Sequence, residues 1–370
     1  MESEFESIVQ QMYQLADKIG REVYLMEVCG THTMSAFRSG LHSLMPSNVK
    51  LLSGPGCPVC VTPDSYIEKA IAIAFQPNVI ITTFGDMVRV PSPSGSLEKA
   101  RAKGAHVEVV YSPADALKRA VECPQMKVVF LGVGFETTAP LVAWTIREAF
   151  LRNLTNYSVL CSNKTIPEAM DALMSDGTAR IDGFMCPGHV SAIIGANAYR
   201  WVCEKYHVPM VISGFEPSDM VRAINMLLQQ ILEQRAEVEI QYKRAVDYQG
   251  NLNAMEILNE VFERSIAEWR GLGFIDKSGF AIRKKYSAYD AERKFPDICS
   301  MPSMQQTHGC RCGDVLKGAI SPPLCPLFSV VCTPDNPRGP CMVSSEGTCA
   351  AYYKYARIKY QHEVRKYGSG

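Results

Sequence analysis

Four cysteines near the C-terminus, Cys310, Cys325, Cys332 and Cys349, follow one another as C-x14-C-x6-C-x16-C in a stretch rich in Pro and Gly. Four thiolates on irregular backbone are the donor set of a metal site or an iron–sulfur cluster, because loops let distant residues converge on one small inorganic core. Zinc favours paired C-x2-C knuckles, which these gaps do not supply. Cys312 and Cys341 are further thiols in the same stretch, so counting alone does not fix the ligand set. A second group lies far upstream: Cys29 in Cys29-Gly30-Thr31-His32-Thr33, and Cys57 and Cys60 in Gly54-Pro55-Gly56-Cys57-Pro58-Val59-Cys60. A C-x-x-C turn brings two sulfurs within disulfide reach, and a helix starting near Asp64 would lower a thiol pKa. The same spacing fits half a zinc site, with Cys29 and His32 as the other half.

Other loops carry single candidates, each with a bland reading beside it. His189, after Pro187-Gly188, is a base or ligand, or a hydrogen-bonded structural histidine. Glu136, in Gly134-Phe135-Glu136-Thr137-Thr138, fits catalysis as well as ordinary N-capping at a helix start. Glu346, close to Cys349, is a candidate for the redox path or a surface carboxylate. Gly132-Val133-Gly134 lacks the rest of a dinucleotide-binding spacing.

The elements that must position these residues read as alternating strands and helices. Short β-branched runs ended by turn residues predict strands over 23–28, 49–52, 79–83, 107–111, 127–131, 158–161, 181–185 and 210–213. Their starts lie about 25–30 residues apart, the length of a strand–helix unit. Helical periodicity covers 64–75, 113–121, 140–151 and 193–206, and longer helices are expected over 217–248 and 253–269. Alternation of this kind predicts an α/β fold with parallel sheets covered by helices. Four strands plus four strands predict two similar α/β domains flanking a cleft, over residues 20–125 and 126–235. A loop- and helix-rich C-terminal domain follows over 236–370, and the N-terminal helix 1–19 is expected to pack with it. Nearly every unusual loop follows a predicted strand, where parallel sheets build their sites.

Composition narrows the class. At 370 residues, two or three domains are the prior. Thirty-eight basic residues balance 38 acidic ones, which gives no nucleic-acid or anionic-membrane surface. No apolar run reaches the roughly 20 residues that span a bilayer, and Met1-Glu2-Ser3-Glu4-Phe5-Glu6 lacks the order of a signal peptide. A cytoplasmic setting is expected. Fourteen cysteines there need a reason other than structural disulfides, and seven of them fall between Cys299 and Cys349.

Taken together, the loops Cys29–Thr33, Gly54–Cys60, Gly134–Thr138 and Pro187-Gly188-His189-Val190-Ser191 resemble the signature loops of HypD, the family of [NiFe]-hydrogenase maturation factors. The tail Gly339-Pro340-Cys341-Met342-Val343-Ser344-Ser345-Glu346-Gly347-Thr348-Cys349 and the spacing of the cysteine quartet are similar to that family's too, and the likeness covers about residues 20 to 360. The resemblance implies two similar α/β domains plus a [4Fe-4S] domain, with Cys310, Cys325, Cys332 and Cys349 as cluster ligands. It implies a complex with a small HypC-type chaperone, on which the Fe(CN)2CO group of the hydrogenase large-subunit precursor is assembled. Cyanide would come from a HypE-type partner carrying a thiocyanate made with HypF. Cys29 would hold the iron with the partner's N-terminal cysteine, Cys57 and Cys60 would be the redox pair, and the cluster would relay electrons. Two other classes stay open on the residues alone: a stand-alone cluster-dependent disulfide reductase, and a structural zinc protein with a ligand-binding cleft.

Overall fold

The computed structural model describes residues 2–300 and 309–356; the remaining parts of the expected C-terminal domain, 301–308 and 357–370, lie outside the described residues. Eight parallel strands form where the apolar runs lie: β1 Val23–Glu27, β2 Val49–Ser53, β3 Val79–Thr83, β4 Val107–Val109, β5 Lys127–Gly134, β6 Tyr157–Asn163, β7 Gly183–Pro187 and β8 Met210–Ser213. All five residues of β3 and all but the first of β5 are buried, as strands covered by helices on both faces must be. The α/β class with two parallel sheets is therefore what the molecule shows.

The division at residues 125/126 does not follow the sheets. One sheet has the order β2-β1-β7-β8-β9, with β9 (Val238–Ile240) added at its edge, and the other has the order β4-β3-β5-β6. The chain starts the first sheet, leaves to build the whole of the second, and returns to pair β7 against β1, Leu25 opposite Gly183. Periodicity counts strands but is blind to which strands pair, so an inserted domain reads as a tandem one.

The helices bring further differences from expectation. The helix Glu2–Ile19 packs on the first sheet's side, burying Met12, Leu15 and Ala16 with Met220, Ile224 and Leu227 of helix Pro217–Leu232. That second helix stops at Leu232, where the polar run Glu233-Gln234-Arg235 leads into β9. The expected helix over 253–269 ends at Val261, and Phe262–Trp269 instead forms strand β10, paired antiparallel with β11 (Gly273–Ile282). The helix expected over 193–206 breaks at Gly195, whose φ of 74° is left-handed and whose added Cβ would run into the backbone of Tyr248 and Gln249.

The C-terminal segment consists of short helices, among them Cys312–Leu316, Pro340–Val343 and Thr348–Tyr355. Its buried Val315, Leu316 and Met342 belong to one apolar cluster with Met26 and Val28 of the first sheet, so it shares a core with the α/β body. Among the described residues, no helix is long and apolar enough to cross a membrane.

Candidate functional site

In the first sheet the connections reverse between β1 and β7: β1 leads to β2 on one side and β7 to β8 on the other. The carboxyl ends of such strands leave a crevice, the usual ligand position in an open α/β sheet. Cys29 follows β1 at that point, and Gly188 and His189 follow β7. Cys29 sits at the N-cap of helix Gly30–Arg38 with extended backbone, φ −149° and ψ 125°. The backbone N–H groups of Thr31 and His32 favour its thiolate, but burial outweighs them and pushes the thiol up to about 11.

The Cys57–Cys60 loop is built onto this one. The Gly30 N–H donates to Gly56 O at 3.0 Å, and the Gly54 N–H to Glu27 O at 2.8 Å. Gly56 has to be glycine for that approach, since a Cβ there would overlap the backbone of Cys29. Cys57 and Cys60 are joined as a disulfide with Cα atoms 5.2 Å apart, and both are buried. Two cysteines this close are what a dithiol–disulfide pair needs.

Glu346 arrives from the C-terminal segment. The Thr31 hydroxyl donates to its Oε1 at 2.7 Å, and a Cβ on Gly30 would meet Glu346 Cβ at 2.7 Å. Its side chain thus lies on the Cys29 loop, although the sequence suggests it only as a neighbour of Cys349. His32, fully buried in the first turn of the helix, donates its Nε2–H to Gly214 O at 3.0 Å, a tautomer assigned from these carbonyl acceptors. Burial draws it down to about 4, so it is neutral and its buried Nδ1 is without a partner. The rings of His32 and His189 both stack on Phe215, with centroids 4.7 Å and 3.9 Å away. Phe215 is a site residue that sequence reasoning missed, although the Gly-Phe-Glu triplet after β8 repeats those after β5. Glu27 is another: it is a fully buried carboxyl that takes the Thr33 hydroxyl at 2.6 Å, and burial raises it to about 8. A lone acid in an otherwise apolar strand two residues before Cys29 was its signal.

Glu136 is not in this group. It follows β5 in the second sheet, where its Oε1 accepts the Ile166 N–H at 3.0 Å and its Oε2 has no partner. Tyr199 lies between, within electrostatic reach of Cys186, Glu136 and Cys29. Burial pushes the Glu136 carboxyl from 4.5 up to about 8. A raised carboxyl stabilises the fold fully below its unfolded value, and that stability is lost as pH climbs through the folded value. Glu136→Gln keeps an oxygen for Ile166 and has no proton to lose. Its stability relative to the parent should rise between pH 4.5 and 8, by up to roughly 1.4 kcal/mol per pH unit. Urea unfolding across that range reads it, and a flat difference would contradict the buried acid.

The C-terminal thiols form a chain of neighbours. Cys310 lies within electrostatic reach of Cys312, and Cys349 of Cys341. Cys332 accepts the Arg338 N–H at 3.3 Å and lies within electrostatic reach of Cys310 and Cys325. Among the described residues no three His, Cys, Asp or Glu side chains converge tightly enough to hold a metal ion as they stand. The chemistry of the set nevertheless fits an iron–sulfur group. Cys312, Cys325, Cys332, Cys341 and Cys349 are buried and Cys310 nearly so. Burial and neighbouring sulfur push Cys310 and Cys349 up, a state that positive iron would relieve. Gly339 leaves room for the Cys310 sulfur, which would stand 2.8 Å from an added Cβ.

Comparison with known proteins bears on all of these loops at once. A factor from Rhodobacter capsulatus named hydrogenase maturation factor HypD is 45% identical to this chain over 94% of both chains. The protein of that name from Azotobacter vinelandii is 47% identical over 91% of this chain and 90% of its own. The one from Escherichia coli K12 is 45% identical over 90% of each. Residues 3–356 match the HypD family, described as the hydrogenase formation hypA family, and the chain belongs to it.

Proposed function

We propose that this chain acts in hydrogenase maturation, holding an iron atom on Cys29 while CN and CO ligands are added to build the Fe(CN)2CO group. The observation that carries the reading is the direct backbone contact between the Cys29 loop and the Cys57–Cys60 loop at the point where the first sheet's connections reverse. A soft thiolate suits low-spin iron, and the burial that raises the Cys29 thiol also keeps water from the metal. A HypC-type chaperone would supply the second thiolate, and a HypE-type protein the cyanide. The dithiol of Cys57 and Cys60 would give up two electrons and two protons on closing to a disulfide, the equivalents that split a thiocyanate's S–CN bond into a thiol and HCN. Neutral His32 offers Nδ1 as a proton acceptor, and Phe215 holds it and His189 in stacked order. A [4Fe-4S] cluster on Cys310, Cys325, Cys332 and Cys349 would supply one-electron transfer to the protein.

The alternative of a stand-alone disulfide reductase finds less support, because Cys57 and Cys60 are 3% and 0% exposed and offer a protein disulfide no access. Anaerobic co-purification with the HypC-type chaperone, followed by infrared spectroscopy, tests the reading. Cyanide and carbonyl stretching bands are expected on the complex, and their absence from a complex that contains iron would overturn it.

A further inference from the structure

A cavity of about 370 Å³, none of whose lining residues belongs to the Cys29 loop, opens where the edge strand β6 meets the β10–β11 hairpin. Its charged lining is mostly settled. Lys69 pairs with Glu292 at 2.7 Å, Arg293 with Asp290 at 3.6 Å, and Glu263 with Arg283 at 3.7 Å. Two opposite charges are left over. Lys164 is 3% exposed, and its ammonium spends one N–H on Ser162 Oγ at 3.1 Å and lies 5.7 Å from the centre of the Trp269 ring. Glu268 feels the Lys164 charge and takes the Ser65 hydroxyl at 2.6 Å, yet among the described residues neither forms an ion pair.

The ammonium is held off Glu268 by Ser162 and by the Trp269 ring, which the Ser278 hydroxyl fixes through Nε1–H at 2.8 Å. A buried charge without a partner is costly, so the gap invites a ligand with both signs. Asn163, also lining the cavity, is 1% exposed, and its buried Nδ2 finds no partner among the described residues. Donors therefore gather on the Lys164 side and an acceptor stands on the Glu268 side. Phe274 and Ile266, 71% and 60% exposed, give the mouth an apolar rim.

We propose that this cavity binds a small zwitterion of the apolar α-amino-acid type, its carboxylate on Lys164 and Asn163, its ammonium on Glu268, and its side chain on Phe274 and Ile266. Burial draws Lys164 down to about 8, and a bound carboxylate would restore its charge. The site is separate from the Cys29 loop, so the inference stands whether or not that loop holds iron.

The test is a thermal and tryptophan-fluorescence titration of the full chain, purified anaerobically, with L-leucine, glycine, acetate and methylammonium. L-Leucine at saturation is expected to raise the melting midpoint by about 2–4 °C, with glycine weaker and the two half-ligands giving less than half the shift. K164M and E268Q should each weaken L-leucine by about tenfold or more. E268Q retains an oxygen for Ser65 and keeps the test decisive should K164M fail to fold. No shift with either amino acid, an equal shift with acetate alone, or an unchanged affinity in E268Q would overturn the proposal.

Discussion

Cys29→Ala is expected to abolish the cyanide and carbonyl infrared bands of the complex while leaving the visible absorption of the iron–sulfur group proposed on the C-terminal cysteines. The reasoning is that the sulfur is chemically singular yet structurally cheap. Cys29 makes no side-chain capping bond to its helix, so alanine leaves the N-cap backbone as it is. The lost sulfur costs roughly 1 kcal/mol of packing, and the protein should stay folded. The C-terminal thiols sit on a different segment and keep their own neighbours. Loss of the bands with an unchanged circular dichroism spectrum would then report on iron holding alone. Bands of parental intensity would remove Cys29 from the iron site.

Gly56→Ala is the second large effect, and it acts through backbone. The new Cβ would overlap Cys29 N and Cα, and neither atom belongs to a side chain that can turn away. Relief requires the two loops to part, breaking the Gly30 N–H to Gly56 O bond. A cost on the order of 2–3 kcal/mol is expected from such overpacking, together with faster alkylation of Cys29 by iodoacetamide. Gly85→Ala is the matched control: its Cβ would find Val109 Cγ1 at an ordinary 3.8 Å, and its φ is not left-handed. That variant should lie within about 0.5 kcal/mol of the parent. Equal unfolding midpoints for the two variants would show that the loops are not locked together.

The strands were largely legible because a buried parallel strand writes itself as a run of apolar residues. Expectation and structure agree on both ends of β3 and β8 and differ by a few residues elsewhere. β10 was not legible: Phe262, Ile266 and Trp269 stand at helical spacing, and only pairing with Gly273–Ile282 makes the segment a strand. The pairing of β1 with β7 is likewise a tertiary fact with no local trace. The cysteines, His32 and His189 announce themselves by type and by their place after strands. Phe215 and Glu27 do not, since a phenylalanine after a glycine is usually core and an acid near a strand end is usually solvated. Sequence distance ties Glu346 to Cys349, and only the fold shows its second tie, to Thr31.

The return of the chain from β6 to β7 has a consequence for the order of events during synthesis. The crevice around Cys29 needs β7, the carbonyl of Gly214 that fixes His32, and finally Glu346, 315 residues beyond its partner Thr31. Contacts this distant form late and slowly. A nascent chain that stops short of Glu346 carries the Cys29 sulfur without this enclosure. The insertion thus ties the closing of the Cys29 crevice to the second sheet, which lies in the chain between β2 and β7.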